Sequence, residues 1–244
     1  VSLTVNDGIA DSAAREITIN MTAVNDAPVL GGANNLASIA EDPASNAGTL
    51  VSTLIAGQIG DVDAAAQVGI AVTAVNDTNG VWQYTTDGSN WSTFGVVSDA
   101  SARLLAADAN TAVRFVPNSN WNGTLAAGLS LRAWDQSIGS GSAGGTADTS
   151  TNGGNSAFSS ATASTGITVT PANDAPVLAG PIANQAATQD VGFLFTLPAG
   201  SFTEADAGDV LTYSATLTSG AALPIWLSFD ANTQTFSGTP ANAD

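Results

Sequence analysis

Short stretches of the chain alternate apolar and polar residues at a period of two. Ile17, Ile19 and Met21 fall on one face of such a stretch, with Thr18, Asn20 and Thr22 on the other. Ile167 and Val169 alternate in the same way with Gly166, Thr168 and Thr170. One buried face backed by a Thr-rich exposed face predicts strands of an antiparallel sandwich. Further strands are predicted at Val81-Trp82-Gln83-Tyr84, at Arg114-Phe115-Val116-Pro117 and over Leu129 to Trp134. Trp82 and Tyr84 share a strand face, which places them toward a core. Asp77-Thr78-Asn79-Gly80 and Asp87-Gly88-Ser89-Asn90 carry the residues of hairpin turns. Residues 137–165 are mainly Gly, Ser, Ala and Thr, and they read as a long exposed loop. No stretch of useful length has helical spacing.

One motif recurs. VNDAPVL at 24–30 returns as ANDAPVL at 172–178, each time after an alternating strand. An Asp before Ala-Pro ends regular structure, and the proline holds the next step extended. Each copy therefore reads as a last strand, an Asn-Asp corner and the first strand of a new domain. This divides the chain into a pair of closing strands at 1–24, a complete long domain at 27–173 and a further domain at 175–244. The pattern opens inside a strand and stops after a turn, as an internal segment of a longer protein would.

Charge narrows the function. Twenty-one acids face four arginines and no lysine, for a net charge of −17 over 244 residues. Such a chain has no basic stripe with which to displace counterions from nucleic acid, and it is repelled by an anionic membrane. Cysteine and histidine are absent, which removes thiol nucleophiles, disulfides, the usual zinc ligands and histidine acid–base catalysis. No apolar run reaches the roughly 20 residues that cross a bilayer.

The remaining chemistry lies in carboxylates placed around the two linkers. Asn25-Asp26 is followed by Asp61-Val62-Asp63, and Asn173-Asp174 by Glu204-Ala205-Asp206 and then Asp209. Asp135 closes the strand ending in Trp134, Asp7 closes Leu-Thr-Val-Asn, and Glu41 heads a Glu-Asp-Pro corner. Two like charges about 4 Å apart repel by about 4 kcal/mol at an effective dielectric near 20. A hard cation taking six to eight oxygens at roughly 2.3–2.6 Å relieves that repulsion, and calcium suits such a set better than magnesium. Asp87 and Asp230 read instead as turn acids.

This order of motifs resembles the cadherin-type repeat, and 175–244 resembles its dystroglycan-type variant. The latter likeness rests on Phe193-Leu194-Phe195, EADAGDVLTY at 204–213 and LPIWLSFDANTQTFSGTP at 223–240. The long domain is similar to repeats of large bacterial surface adhesins of the RTX type, many of them exported by type I secretion. The resemblance implies an all-β fold of tandem Greek-key β-sandwiches, cadherin- or immunoglobulin-like, set end to end. It further implies calcium held between domains by Asn25, Asp26, Glu41, Asp61, Asp63, Asp135, Asn173, Asp174, Glu204, Asp206 and Asp209. The function implied is that of an extracellular, non-enzymatic extender in a secreted adhesin, its partners being the neighbouring repeats.

Two other classes are weighed. A glycan- or peptide-binding module at a cell surface could use the tryptophans as a stacking row. A glycoside hydrolase needs two carboxylates about 5–10 Å apart in a cleft, and the acids here sit in turns and linkers instead. Trp226 is expected in a strand facing the core of the last domain. That domain is expected to lack two closing strands, and residues 1–24 have the pattern of such a pair, so head-to-tail self-association is a further expectation.

Overall fold

The computed structural model describes residues 1–43, 45–63, 65–138 and 144–242. The chain separates into two compact units. Val1–Ile39, Pro43–Asn118 and Gly123–Val169 form the first, and Ala40–Asp42, Ser119–Asn122 and Thr170–Asp244 the second. Apart from one four-residue helix, every regular element among the described residues is a strand, as the alternating pattern predicts.

In the first unit, β1 (Ser2–Leu3) and β2 (Arg15–Glu16) pair with each other, as do β3 (Val29–Leu30) and β6 (Ile59–Gly60). The sandwich proper begins with β4 (Ile39–Ala40), β5 (Thr49–Leu50), helix α1 (Val51–Leu54), β7 (Gly69–Val75), β8 (Gly80–Thr85) and β9 (Ser92–Thr93). It continues with β10 (Ala102–Ala106), β11 (Ala112–Pro117), β12 (Gly123–Trp134), β13 (Thr146–Ala147) and β14 (Ala163–Thr170). One sheet runs β13-β10-β7-β12-β14-β4, and the other β5-β11-β8-β9.

The segment joining β7 to β8 is not a hairpin turn, because it carries the chain from one sheet to the other. Asp77 Oδ1 accepts from the Trp82 amide at 2.8 Å and Asn76 O from the indole Nε1 at 3.1 Å, so the corner and the tryptophan fix each other. The 87–90 turn does close a hairpin, with Gln83 opposite Thr93 and Tyr84 opposite Ser92. Trp82 is fully buried and lies 5.1 Å from the Phe115 ring. It fills the space left by Gly128 on β12, where a Cβ would collide with the indole. That fit of a large residue against a glycine joins the two sheets face to face.

The six-stranded sheet is buried on its other face as well. Ala71, Ala102, Leu104 and Trp134 pack there against Ala157 and Phe158. Residues 144–162 are therefore a packed cover rather than a long exposed loop. Ala157 and Phe158 anchor the segment, and its buried polar groups are satisfied by hydrogen bonds to itself and to the body of the unit. Thr149 Oγ1 donates to Asp99 O at 3.0 Å, while Ser159 Oγ donates to Ala161 O at 2.7 Å and accepts from the Ala133 amide at 2.9 Å. The Gly139–Ala143 part of the predicted loop lies outside the described residues.

The two alternating stretches behave differently. Ile167 and Val169 are buried in β14, as expected. Ile19 and Met21 stand 69% and 93% exposed, so the apolar face of the first stretch is uncovered. Residues 17–24 follow β2 without joining a strand.

In the second unit, β15 (Val177–Leu178) pairs with β17 (Phe202–Thr203), while β16 (Phe193–Thr196), β19 (Thr235–Gly238) and β18 (Leu227–Asp230) form a three-stranded sheet in that order. Among the described residues, none of its Val, Leu, Ile, Phe, Tyr or Trp side chains is buried. Phe229 lies 4.6 Å from Phe236, and Phe193 6.4 Å from Trp226. Trp226 sits one residue ahead of β18 and is half-buried, not in a strand facing a closed core. Its neighbours have little more than one layer of side chains to pack against.

Candidate metal centre

At the first linker the backbone, not the charge, does the gathering. The Asp26 amide donates to Asp63 Oδ2 at 2.8 Å, and the Asp63 amide donates to Asp61 Oδ1 at 2.9 Å. Asn25 Nδ2 reaches Asp135 Oδ2 at 2.9 Å, Ser156 O at 3.1 Å and Asp26 O at 3.2 Å. Asp135 is only 6% exposed, and its Oδ1 accepts from the Ser137 amide at 2.7 Å. Asn25, Asp63, Asp135 and Ser137 line one hollow of about 390 Å³. Asp61 Oδ2 is buried with no hydrogen-bond partner.

The second linker repeats this arrangement with different residues. The Asp174 amide donates to Asp206 Oδ2 at 2.7 Å, and the Asp206 amide to Glu204 Oε1 at 3.3 Å. Asn173 Nδ2 donates to Asp174 O at 3.0 Å, as Asn25 does to Asp26 O. Glu41 is 2% exposed, with Oε1 accepting from the Ala172 amide at 2.8 Å and Oε2 from Asn122 Nδ2 at 3.1 Å. Asn122, Asn173, Asp206 and Asp209 line a hollow of 430 Å³. Asp174 Oδ2 is again buried without a partner. Burial, and then the charges of Asp206, Asp42, Glu41 and Glu204, push the Asp174 carboxyl above its ordinary value.

Every residue proposed from the sequence thus lies at one of the two linkers, although Asp26 contributes its backbone while its side chain stays exposed. Among the described residues, no three carboxylates converge closely enough to hold a metal ion as they stand. The orphaned oxygens of Asp61 and Asp174 nonetheless suit a cation, since a buried carboxylate oxygen without a donor is costly.

Sequence reasoning missed Asp42, Asn120 and Asn122. Asp42 Oδ2 accepts from the Asn120 amide at 3.2 Å, and Asp42 itself has a positive φ of 47°. Its place in the Glu-Asp-Pro corner was the available signal. Asp7 belongs to neither centre: its Oδ1 accepts from the Ile9 and Ala10 amides at 2.9 Å, within its own turn. Asp87 and Asp230 are turn acids as expected, each accepting amides two and three residues on.

The segment from Ala175 onward matches a known family. Residues 175–244 match the family model He_PIG, "Putative Ig domain". That immunoglobulin-like segment contains Glu204, Asp206 and Asp209, and it starts one residue after Asp174. No curated protein and no solved structure matches the chain. The strands of the first unit and the immunoglobulin-like match of the second agree on an all-β sandwich fold. No helix among the described residues is long and apolar enough to cross a membrane. The tryptophans form no open row, because Trp82 and Trp134 are fully buried and Arg114 lies 4.1 Å over the Trp91 ring.

Proposed function

We propose that the chain is a non-enzymatic, calcium-stiffened extender segment of a secreted bacterial surface adhesin. One observation carries this reading. Two linkers far apart in sequence place an Asp amide on the second carboxylate of an acid-x-Asp pair, and each leaves one carboxylate oxygen buried and unpaired. Turn chemistry alone has no need of such a coincidence. Calcium would supply a divalent charge and an oxygen-preferring shell at linkers that carry four acids and five acids respectively. Asn25, Asp26, Asp61, Asp63 and Asp135 would hold it at the first linker, and Glu41, Asn173, Asp174, Glu204, Asp206 and Asp209 at the second.

The residues of the chain do the rest. Glu41 pins the Ala172 amide and Asn25 ties the first linker to Asp135, so each linker is half-fastened before a cation arrives. Extracellular calcium modules bind at about 10⁻⁴–10⁻³ M, which suits a linker that stiffens only outside the cell. Thermal melting in millimolar calcium, in magnesium and in EDTA tests the reading. Saturation at about 100 times the dissociation constant adds about 2.7 kcal/mol per independent site. A midpoint that is the same in calcium and EDTA overturns it.

A further inference from the structure

One side chain at the first linker has more acceptors than it can serve. An asparagine amide carries two N–H donors. Asn25 Nδ2 nevertheless lies within hydrogen-bond distance of three oxygens: Asp135 Oδ2 at 2.9 Å, Ser156 O at 3.1 Å and Asp26 O at 3.2 Å. They come from three parts of the first unit, namely the residue after β12, the 144–162 cover and the linker itself. One belongs to a carboxylate that is only 6% exposed, and the other two are backbone carbonyls. Asn25 Oδ1 accepts no hydrogen bond from any described residue.

Three oxygens converging on one atom are the surroundings of a hard cation more than of an amide. No basic side chain serves them, since the one ion pair among the described residues joins Arg132 to Asp99. In the absence of a cation the amide has to present its nitrogen here, because its oxygen would face three acceptors and leave all of them without a donor. A cation beside the carboxylate inverts that preference, since oxygen then becomes the ligand and an N–H is repelled. The two ends of an amide are nearly equal in size, and its terminal torsion is roughly two-fold. A half-turn therefore exchanges them without disturbing the packing. Asn25, Asp63 and Asp135 already line one hollow.

The second linker has no nitrogen shared in this way. Among the described residues, Asn173 Nδ2 meets only Asp174 O at 3.0 Å, and Asn122 Nδ2 meets only Glu41 Oε2 at 3.1 Å.

We infer that Asn25 is a placeholder for the cation at the first linker. Its amide nitrogen holds Asp135, Ser156 and Asp26 together when no cation is bound, and a half-turn of the amide releases these oxygens to the cation and adds Oδ1 to them. The inference rests on the calcium reading and extends it. The same residue closes the linker in both states, through opposite ends of one group.

The test uses the full chain. Asn25→Asp keeps the size and shape of the side chain and removes both amide donors. In EDTA it should lower the melting midpoint, because a carboxylate then faces three oxygens. In a calcium titration it should tighten one class of sites about tenfold, because affinity follows the number of charged ligands. An asparagine that served only the fold would make the variant worse in both conditions. Heteronuclear NMR of the parent chain gives a second readout that needs no variant fold, with Asn25→Ala identifying the side-chain amide signal by its absence. That amide should exchange slowly with solvent in EDTA, then shift and exchange faster when calcium saturates the chain. Weaker calcium binding by Asn25→Asp overturns the inference, as does an unchanged midpoint in EDTA or an amide signal that calcium leaves in place. If the parent chain takes up no calcium at all, the calcium reading itself falls, and this is seen before any variant is compared.

Discussion

The two units draw on the same vocabulary and finish it differently. In the first, Trp82, Phe115 and Trp134 lose all contact with solvent, because a second sheet meets one face of β7, β10 and β12 and residues 144–162 meet the other. In the second, Phe195, Phe229, Phe236 and Trp226 stay half-buried against a three-stranded sheet with one open side. Both sequences alternate with equal regularity. Alternation determines which side chains share a face, and only a facing layer turns that face into a core.

The largest test of this contrast is a matched pair of truncations. Trp82→Ala should cost about 3–5 kcal/mol, because it empties a closed site. Trp226→Ala should cost much less, about 0.5–1.5 kcal/mol, which is the scale of its edge-on contact with Phe193. Denaturant unfolding of the two variants measures both. Equal losses would mean that the second unit is closed in solution. Acrylamide should accordingly quench Trp226 and spare Trp82 and Trp134.

Next comes the glycine opposite the indole. Gly128→Ala should destabilise the first unit by about 1–3 kcal/mol through overpacking, with the Trp82 emission shifted as the ring is displaced. An unchanged midpoint would mean that the two sheets are not held at this fit.

The linkers provide a finer comparison. Asn25→Ala removes the donor to Asp135 at the first linker only. Loss of an orienting partner typically lowers metal affinity about 10–100-fold, so a calcium titration should lose one class of sites and retain the other. The smallest effect concerns protons. The raised pKa of Asp174 means that its proton is held more tightly in the folded state than in the unfolded chain, whose carboxyl is near 3.8. Without metal, its ionisation therefore weakens the fold above that range, and stability returns as pH falls toward it. Asp7, Asp108, Asp148 and Asp230 have lowered pKa values, so what they contribute persists until the pH falls below 3.8. In EDTA, Asp174→Asn should thus stabilise the second unit at neutral pH, with the gain shrinking in mild acid. In calcium the same substitution should destabilise it. Melting curves of the variant and the parent chain across pH check both signs.

The sequence made the linkers legible because their signals are local: an Asn-Asp corner before Ala-Pro, and an acid-x-Asp pair some thirty residues on. It made β14 legible through Ile167 and Val169. Ile17, Ile19 and Met21 carry the same pattern and are exposed, since periodicity says nothing about whether a partner layer is present. The cover at 144–162 escaped notice because Phe158 and two alanines, Ala147 and Ala157, anchor it, and the burial of Thr149 and Ser159 depends on hydrogen bonds that composition does not reveal. The corner at 77–80 has the residues of a hairpin, and Trp82 decides that it leads to the other sheet. Asp42 was hidden by its neighbour Glu41.

The amide clasp at each linker spans a short stretch of chain, from Asp26 to Asp63 and from Asp174 to Asp206. Whatever is inserted downstream leaves it intact. Asp-x-Asp and Glu-x-Asp serve equally well in it, so its acids can drift within that limit. A gene segment encoding one linker and the forty or so residues after it would therefore carry a working clasp wherever it was copied. Arrays of such segments can then lengthen or shorten by duplication and loss, with domains of unequal size between the clasps.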